Sequence, residues 1–489
     1  MVRYAVANTP YCLFSPITPK SCIIYSIYKK SLNMPSTITL TITTGKLTGK
    51  QYLFDTRTTC LIGRNDDCYL SIPCDIDRRI SRYHCLLDIN PPDIKIKDLG
   101  SLNGTYINNQ KIGGRQSGQS PEEARNLNFP EYDLQNGDQI TIGDIVFSVS
   151  IKTIQPQPIN NQNHGSQTPR LIQQPPHNKN NLFEIIQKLI KSAIGRGNEL
   201  KVLSNYQIIQ SIGKGGFGEV YLAQHSQTGK KVALKVMLPE IAQDENNIKM
   251  FMREISNLKS LNHPHVVKLL DDDYAENIFF LVMEYYEAGN VDDLMQKLGG
   301  KLPLDMALQI ILQVLDGLIY THNAEIPYVK LADGGYQKGK GLVHRDIKPQ
   351  NIFLCNINGK LTAKIGDYGL AKSFDLAGLT GQTLTKTIGG TPGFIPRQQL
   401  LKYRTPDPSM DVWAAAASLY NMLTGDFPRN FTKDPFIDIM ENDPVAILQR
   451  DSHIPQSLAR VIDLALIEKP QIYFQSAVDF KKELMKVIP

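Results

Sequence analysis

The chain has 489 residues, of which 42% are hydrophobic and 21% are charged, a composition that can support two to four globular domains. The formal net charge of +5 is small for this length and does not indicate a nucleic-acid partner, which would need basic residues concentrated on one face. No segment combines about 18 apolar residues without a charge, so we expect no membrane span.

The cysteines and the N-terminal residues indicate the cellular compartment and where the first domain begins. Seven cysteines are present and none has the close spacing of a metal site, which favours buried, reduced thiols in a cytoplasmic protein, with a redox sensor as the alternative. The apolar run at residues 22–25 is too short for a secretory signal. A patterned domain begins directly after Met34, so we expect residues 1–35 to be a disordered or non-native extension and Met34 to be the true start.

Residues 36–151 are predicted to form an all-β sandwich. Short runs rich in β-branched and aromatic residues alternate with turn residues, which is typical of such a domain. The runs are residues 37–43, 51–54, 60–62, 83–89, 94–97, 104–107, 139–142 and 146–151. A long polar interruption at residues 113–134 is predicted to be an exposed loop.

A linker and a short helix are predicted next. Residues 152–181 are rich in Gln, Asn and Pro, so burial cannot offset their ordering entropy and we expect a flexible linker. In residues 182–204, apolar side chains recur at steps of three and four from Phe183 to Ala193, which predicts an amphipathic helix and lead-in. We expect the helix to dock on the following domain; a membrane surface or a partner is the alternative.

Residues 205–489 change from strand patterns to helix patterns. Strands are predicted at residues 208–212, 218–225, 231–236 and 279–284, and helices at 246–261, 304–322 and 411–423. A glycine-rich loop lies between the first two strands, where Gly213, Gly215 and Gly218 would let backbone N–H groups approach phosphates. Such a loop alone could belong to a dinucleotide site. Strand-like sequence on both sides of the loop instead favours a β-hairpin that covers the phosphates.

Two charged residues follow on apolar elements. Lys235 ends the apolar run Val232–Leu234, where a buried charge is costly unless it meets phosphates and a carboxylate. Glu254 lies on a predicted helix whose packing face includes Ile255 and Leu258, and it is the candidate carboxylate.

The most specific string begins at His344 and includes three polar groups suited to phosphoryl transfer. Asp346 can orient a hydroxyl and accept its proton, and Lys348 can neutralise a moving phosphoryl group. Asn351 and the later Asp367 offer the oxygen ligands that Mg²⁺ prefers. Phosphoryl transfer needs positioning and charge neutralisation more than covalent help, so these residues predict that chemistry.

With these motifs in order, residues 205–489 resemble the eukaryotic-type protein kinase domain over its whole length. The resemblance implies a bilobal α+β fold, ATP and Mg²⁺, and Ser or Thr hydroxyls of proteins as acceptors. It implies that Lys235 meets the ATP phosphates, that Glu254 holds Lys235 and that Asp346 is the catalytic base. The implied nucleotide site comprises Ile212, Gly213, Lys214, Gly215, Gly216, Phe217, Gly218, Glu219, Val220, Ala233, Lys235, Met283 and Glu284, with Met283 as gatekeeper.

Several positions depart from the kinase pattern. Gln398 stands where a glutamate usually lies, and Tyr473 stands where its arginine partner usually lies. Removing one partner of a buried ion pair costs roughly 3–5 kcal/mol, whereas replacing both can be near neutral, so we expect the two residues to lie close together. Tyr368 replaces the usual phenylalanine, and its hydroxyl needs a partner if buried. The insertion at residues 323–341 is predicted to be a surface loop.

Arg345, beside the catalytic aspartate, suggests control by phosphorylation, because a phosphate on the activation loop could pair with it. The candidate acceptors are Thr383, Thr385 and Thr387. The resemblance also implies that Thr391 is the threonine beside the substrate.

The β-domain carries Gly-Arg, Ser-x-x-His and Asn-Gly motifs on predicted loops, and with this spacing residues 36–151 resemble a forkhead-associated (FHA) domain. The resemblance implies a phosphothreonine-peptide site at one end of the sandwich. Arg64 would grip the phosphate with Ser81 and Arg82, Asn103 would hold the peptide backbone, and His84 would brace the site.

The sequence therefore favours a multidomain protein, an FHA-like sandwich followed by an active Ser/Thr kinase. The phosphopeptide-binding module would dock substrates or the kinase's own phosphothreonines, which allows self-association. A pseudokinase scaffold is the non-enzymatic alternative. Pseudokinases usually lack the lysine or one of the two aspartates, and Lys235, Asp346 and Asp367 are all present here.

Overall fold

The structure is a computed structural model that describes residues 36–55, 57–66, 68–116, 118–119, 129–153, 205–215, 218–237, 245–275, 278–330, 336–368, 391–401, 407–432 and 434–488. It contains a β-sandwich followed by a two-lobed α+β domain, which confirms the predicted multidomain fold class. The N-terminal extension, nearly all of the predicted linker and the predicted helix in residues 182–204 lie outside the described residues.

The sandwich is built from two sheets. Its described strands are β1 (Ser36–Ile42), β2 (Gln51–Phe54), β3 (Thr58–Gly63), β4 (Leu70–Ser71), β5 (Cys85–Asn90), β6 (Asp93–Asp98), β7 (Thr105–Ile107), β8 (Gln110–Gly113), β9 (Glu131–Asp133), β10 (Gln139–Ile142) and β11 (Ile145–Thr153). One sheet has the order β2–β1–β11–β10–β7–β8 and the other β4–β3–β5–β6–β9.

Alternation along the strands explains the sandwich core. On β1, Ile38, Leu40 and Ile42 are buried against the second sheet, and the threonines between them are half-buried. Every strand predicted in this domain has a counterpart whose ends lie within two residues. The predicted loop at residues 113–134 is interrupted by β9, which pairs with β6 and is too short to show a sequence period.

The second domain begins with an antiparallel sheet and one helix. The strands are β12 (Tyr206–Gly215), β13 (Gly218–His225), β14 (Lys231–Met237), β15 (Leu269–Ala275) and β16 (Ile278–Glu284), and helix α1 (Glu245–Lys259) lies between β14 and β15. The sheet order is β12–β13–β14–β16–β15. Phe251 and Ile255 of α1 pack with Phe279 and Leu281 of β16, which fixes α1 against the sheet.

The second lobe is mainly helical. Its described helices are α2 (Val291–Lys297), α3 (Leu304–Asn323), α4 (Arg397–Leu401), α5 (Pro408–Thr424), α6 (Pro435–Glu441), α7 (Gln456–Ala465) and α8 (Ala477–Val487). Short 3₁₀ turns occupy Pro349–Asn351, Pro392–Phe394 and Ile447–Gln449. Helix α5 is buried along nearly its whole length because α3, α7 and α8 surround it.

Helix α3 is the one helix of the described residues that is long and apolar enough, by length and composition, to cross a membrane. Half of its apolar window is buried inside the fold, and its buried side chains belong to the core of the helical lobe. This is the setting of a core helix, and composition alone is weak support for a span.

The insertion at residues 323–341 is not the predicted surface loop. It forms an antiparallel hairpin of β17 (Glu325–Lys330) and β18 (Tyr336–Lys340), and β17 packs against α1. Neither strand shows an alternating pattern strong enough to be predicted, and β17 is stabilised by its contact with α1. A second hairpin, β19 (Ile352–Ile357) and β20 (Lys360–Ile365), follows the 3₁₀ turn at Pro349–Asn351.

Candidate active site and phosphate-binding site

The glycine loop is the tip of the β12–β13 hairpin, as its flanking strand patterns predicted. Gly215 pairs with Gly218, and Gly218 has a φ of +157°. A Cβ at Gly218 would lie 1.9 Å from the carbonyl oxygen of Val236, so no larger residue fits without a backbone shift. Lys214 and Glu219 pair across the hairpin at 2.9 Å. Gly216 and Phe217 lie outside the described residues.

Lys235 projects from β14 toward the second lobe. Its register neighbours are Val220 on β13 and Leu281 on β16, which places it in the middle of the sheet. Its Nζ lies 3.0 Å from Oδ1 of Asp367, and both side chains are partly buried. The sequence therefore identified two residues that meet in the cleft between the lobes, although it did not predict that they would pair with each other.

Glu254 does not hold Lys235 in this structure, which corrects the sequence expectation. Burial raises the pKa of the Glu254 carboxyl, and the positive charge of Arg345 partly offsets that rise. Among the described residues, the ion pair of Lys235 is with Asp367. The physical reason is competition, because one ammonium group faces a nearer carboxylate from the opposite lobe.

The catalytic loop gathers three of the predicted residues. Nζ of Lys348 lies 2.9 Å from Oδ2 of Asp346. Nδ2 of Asn351 donates to the same carboxylate oxygen at 2.8 Å and to the Asp346 carbonyl at 2.8 Å. The backbone N–H of Gly366 donates to the Asn351 carbonyl at 2.9 Å, which brings the neighbouring Asp367 to the same place.

Asp411, near the start of α5, holds the backbone of the catalytic loop through hydrogen bonds. Its carboxylate is fully buried and accepts hydrogen bonds from the backbone N–H groups of His344 and Arg345, each at 2.7 Å. His322 adds a third contact at 2.9 Å. Burial alone would raise the Asp411 pKa, but the contact with His322 and the hydrogen bond from the His344 backbone N–H outweigh it and lower that pKa. Arg345 has a φ of +67°, a strained conformation that these bonds stabilise.

His344 connects the two sides of the cleft and is neutral. Its Nδ1 accepts from the backbone N–H of Asp346 at 3.1 Å, and its Nε2 donates to the Gly366 carbonyl at 2.9 Å. Burial lowers the His344 pKa, which agrees with this tautomer. The ring of Tyr368 packs 4.4 Å from the His344 ring. Burial raises the Tyr368 pKa, and among the described residues the buried Tyr368 hydroxyl has no hydrogen-bond partner, so the partner expected for it from the sequence is not found.

The strand that ends at Glu284 forms the back of the cleft. Met283 pairs in register with Ala233, and it lines a small cavity together with Asp367 and Tyr368. The Glu284 carboxylate contacts the Tyr286 hydroxyl and accepts from the Lys268 backbone N–H at 3.2 Å.

A cation would find oxygen ligands at the floor of the cleft. The Asn351 amide nitrogen is used by Asp346, which leaves the amide oxygen as the group that could face a metal beside the Asp367 carboxylate. This pairing of carboxylate and amide oxygens fits Mg²⁺. The described residues contain no group of three or more His, Cys, Asp or Glu side chains that could hold a metal ion by themselves.

A buried ion cluster that was not predicted from the sequence lies in the helical lobe. Glu468 is 1% exposed, contacts the guanidinium of Arg429, and lies 3.2 Å from Nη1 of Arg397. Its Oε2 also accepts from the Arg397 backbone N–H at 2.8 Å. The usual glutamate and arginine are absent at positions 398 and 473, and a buried ion cluster nearby has its acid at Glu468 and its bases at Arg397 and Arg429. The signal available was Arg397, directly before Gln398.

Gln398 and Tyr473 contact the same loop. The Gln398 amide donates to the Glu468 carbonyl, and the Tyr473 backbone N–H donates to the Ile467 carbonyl at 3.0 Å. The Tyr473 side chain is 52% exposed and does not replace a buried partner.

Three predicted phosphate-site residues lie together at one end of the sandwich. The Arg64 backbone N–H donates to the Ser81 carbonyl at 3.0 Å, and the Arg64 guanidinium lies 3.2 Å from Sγ of Cys74. Oγ of Ser81 accepts from the Leu102 N–H at 2.9 Å, beside Asn103. Asn103 Nδ2 donates to the Arg79 carbonyl at 2.6 Å. Arg64 and Asn103 are exposed, as a binding role requires.

A buried histidine and a buried aspartate hold these loops. His84 accepts at Nδ1 from the Ser81 N–H at 3.1 Å and donates from Nε2 to the Gly104 carbonyl at 3.1 Å. Asp98 is fully buried and accepts from the hydroxyls of Ser101 and Thr105, each at 2.6 Å. Asp98 was not predicted as a site residue, although a charge at the end of an alternating strand was a usable signal.

Arg82 departs from the predicted phosphate site. Its guanidinium lies 3.6 Å from the Glu441 carboxylate at the end of α6, on the other domain. The expectation that Arg82 helps to grip a phosphate therefore does not describe this structure, because a carboxylate already faces it. The candidate phosphorylation sites Thr383, Thr385 and Thr387 lie outside the described residues.

The second domain has two lobes, with a glycine-rich hairpin facing the loop in which Asp346 contacts Lys348. This arrangement is that of a kinase-like domain. A family model described as Protein kinase domain matches residues 206–486, more than half of the chain, and the chain therefore belongs to the protein kinase family. A second model, described as FHA domain, matches residues 60–143. This confirms the resemblance of both regions.

Curated relatives and solved structures that are similar to this chain include protein kinases. The carbon catabolite-derepressing protein kinase of Candida albicans is 33% identical over 232 residues, which cover 47% of this chain and 33% of that protein. The serine/threonine-protein kinase PknB of Mycobacterium leprae is 28% identical over 290 residues, covering 58% and 43%. The chain thus spans less than half the length of these relatives. The PknI kinase domain of Mycobacterium tuberculosis is 22% identical with a TM-score of 0.43, covering 58% of this chain and 96% of that one.

Proposed function

We propose that this protein is a Ser/Thr protein kinase that transfers the γ-phosphate of ATP to Ser or Thr side chains of proteins. The observation that carries the proposal is the contact of Asp346 with both Lys348 and Asn351, at 2.9 and 2.8 Å, in a cleft that also holds the Lys235–Asp367 pair. The pseudokinase alternative is disfavoured because pseudokinases usually lack the lysine or one of the two aspartates, and Lys235, Asp346 and Asp367 are all present.

Each side chain has a separate task in this proposal. Asp346, held by the Asn351 amide, would accept a hydrogen bond from the incoming hydroxyl and take its proton. Lys348, 2.9 Å from Asp346, would offset negative charge on the moving phosphoryl group. The glycine hairpin would cover the phosphates with backbone N–H groups. Mg²⁺, when bound by Asp367 and Asn351, would neutralise phosphate charge.

We propose an exchange of partners at Lys235 when nucleotide and metal bind. Asp367 would turn from Lys235 to the metal, which frees the ammonium group for the phosphates and for Glu254. The raised pKa of the buried Glu254 carboxyl supports this step, because a buried carboxylate gains most from a new cationic partner.

The kinase proposal is tested by incubating the full chain with Mg-ATP and mapping the phosphorylated residues. We expect phosphoserine or phosphothreonine, and a rate lower by about 10²–10⁴-fold in Asp346→Asn. Asp305→Asn, an exposed aspartate on α3, is the matched control. Binding of Mg-ADP, followed by thermal shift, separates a folded variant from an unfolded one. Equal rates in Asp346→Asn and the wild type would contradict the assignment, and phosphotyrosine as the product would contradict the acceptor.

We propose that the FHA domain binds phosphothreonine peptides through Arg64, Ser81 and Asn103, with the kinase's own activation-loop threonines among the candidate ligands. Exposure of the Arg64 guanidinium beside the Ser81 loop supports this, because a guanidinium and a hydroxyl suit a phosphate dianion. Binding to a phosphothreonine in a second copy would produce self-association. A cytoplasmic location remains part of the proposal.

Isothermal titration of the full chain with a phosphothreonine peptide library tests this second proposal. We expect binding to fall by at least about tenfold in Arg64→Ala, since a charge-assisted bond is worth roughly 1.5–3 kcal/mol. Arg460→Ala, an exposed arginine on α7, should bind as the wild type does. Equal affinity in Arg64→Ala would refute the assigned site.

A further inference from the structure

The outer face of one FHA sheet is apolar and covered. A sandwich strand with one face in water normally alternates apolar and polar residues. Strand β5 instead buries Leu86 on its outer face, at 2% exposure, near Leu61 of β3 at 3%. These two leucines belong to a cluster separate from the sandwich core that contains Ile62 and Leu87. This face therefore needs a cover from outside the sandwich.

The cover is the helical lobe of the kinase domain. Strand β3 contacts α4, and the shared cluster joins Leu61, Leu86 and Leu99 to the second domain. The kinase residues of the cluster include Ile395, Leu400, Phe436, Ile437 and Met440. Ile395 and α4 directly follow the segment that begins at Thr391, where the kinase resemblance puts the substrate-side threonine.

A buried ion pair fixes the register of the two domains. Nζ of Lys97 on β6 lies 2.8 Å from Oδ2 of Asp434, with the two side chains 12% and 7% exposed. The other oxygen of Asp434 caps α6 by accepting from the Phe436 N–H at 3.1 Å. A charge at this depth needs its partner, so the pair discriminates against other docking arrangements.

The second ion pair connects the contact to the phosphate-binding end. Arg82 lies next to Ser81 in sequence, and its guanidinium is 3.6 Å from Glu441, the last residue of α6. The Arg82 side chain is 57% exposed, whereas the Glu441 side chain is 15% exposed. Water therefore screens the pair from the arginine side, which suits a contact that can be exchanged. A phosphate dianion on the Ser81 loop would attract the same guanidinium.

We propose that the outer face of the β3–β5–β6 sheet is a docking surface for the kinase domain of the same chain, and that a bound phosphothreonine competes with Glu441 for Arg82. Phosphopeptide binding then loosens α6 and α4 beside the substrate-side segment. The docking is inferred from the contacts between the two domains alone. The competition for Arg82 also rests on the proposed binding of phosphopeptides by the FHA domain.

The docking is tested by hydrogen–deuterium exchange on the full chain, without nucleotide or peptide. In Leu86→Glu we expect amide exchange in α6 to rise at least about tenfold, because the helix loses its cover. Leu53→Glu, at a position 66% exposed on β2 of the other sheet, should leave α6 unchanged. Protection of β1 and β11 shows whether the sandwich is intact.

A milder variant keeps the test decisive if Leu86→Glu unfolds the sandwich. Lys97→Met removes the buried charge while keeping the length of the side chain, and we expect a rise of about threefold or more in α6 exchange. Unchanged α6 exchange with an intact sandwich in Lys97→Met and Leu86→Glu would overturn the docking surface.

The competition is tested by adding a phosphothreonine peptide library at saturation. We expect α6 exchange to rise in the wild type, to stay unchanged with the unphosphorylated library, and to gain no peptide-dependent increase in Arg82→Ala. Peptide binding that leaves wild-type α6 exchange unchanged would overturn the competition. Absence of any binding would refute the phosphopeptide function together with the competition, while the peptide-free experiment still decides the docking.

Discussion

Asn257 and Tyr328 exchange two hydrogen bonds across 71 residues of sequence. Nδ2 of Asn257 donates to the Tyr328 carbonyl at 2.9 Å, and the Tyr328 N–H donates to Oδ1 of Asn257 at 3.0 Å. Asn257 is buried on α1, one turn from Glu254. The Arg253 guanidinium, on the same helix, lies 4.0 Å from the centre of the Tyr336 ring. The inserted hairpin therefore holds the helix that carries Glu254.

Replacing Asn257 by alanine should loosen this helix. The change removes two hydrogen bonds and leaves polar backbone groups of the hairpin without their partner, at a cost of about 1–3 kcal/mol. We expect urea denaturation to show a lower midpoint for the kinase transition. We also expect slower autophosphorylation, because Glu254 is positioned through the same helix.

Asn356→Ala, at an exposed position on β19, is the matched control and should change neither quantity. A wild-type midpoint and rate in Asn257→Ala would mean that the hairpin only covers the surface of α1.

Glu468→Gln should destabilise the helical lobe strongly. The variant leaves the guanidinium groups of Arg397 and Arg429 buried, at 2% and 0% exposure, without their carboxylate. Breaking a buried ion pair in this way costs about 3–5 kcal/mol. The free energy of unfolding from urea titration measures the loss.

Asp443→Asn provides the comparison, because this carboxylate contacts Arg397 at 3.6 Å but is 71% exposed. Its removal should cost less than about 1 kcal/mol. Similar losses of unfolding free energy in the two variants would show that burial does not increase the contribution of the Glu468 cluster to stability.

Two glycines of the same loop should differ in tolerance to alanine. Gly218→Ala places a Cβ 1.9 Å from the Val236 carbonyl oxygen, whereas the nearest atom to a Cβ at Gly213 is 3.8 Å away. We expect Gly218→Ala to cost about 1–3 kcal/mol through overpacking. Gly213→Ala should keep the stability of the wild type, since the backbone there suits any residue. Thermal unfolding of the kinase transition measures both variants, and equal transitions would contradict the clash.

Acidification should destabilise the FHA domain through His84. Burial lowers the His84 pKa below its ordinary value of about 6.5, so the unfolded chain takes up the proton first as the pH falls. Stability is therefore complete above about pH 6.5 and is lost as the pH falls toward the folded-state pKa. Protonation at Nδ1 would also remove the bond from the Ser81 N–H.

The measurement is the unfolding temperature of the FHA transition at about pH 7.5 and 5.5, with limited proteolysis to assign the transition. His84→Gln should reduce the difference between the two values. His453→Gln, at a position 96% exposed, should keep the wild-type difference. A full pH dependence in His84→Gln would assign the effect to other groups.

Much of the fold and of the site was predictable because it rests on local pattern. Short runs of β-branched and apolar residues between turn residues predicted β1 and β5, and glycine spacing between two strand patterns predicted the hairpin that contains Gly218. The short strands β4 and β9 were missed because two or three residues show no period. The β17–β18 hairpin was missed because its contacts with Asn257 are distant in sequence.

Residue types and spacing by themselves determined the two domains, the glycine hairpin and the group formed by Asp346, Lys348 and Asn351, since these depend on neighbours within a few residues. The tertiary structure alone decided which charges pair. Lys235 meets Asp367 across 132 residues, and Lys97 meets Asp434 across 337. Such choices depend on distance and burial after folding, because a charge in the interior takes the nearest partner that the packed chain brings to it.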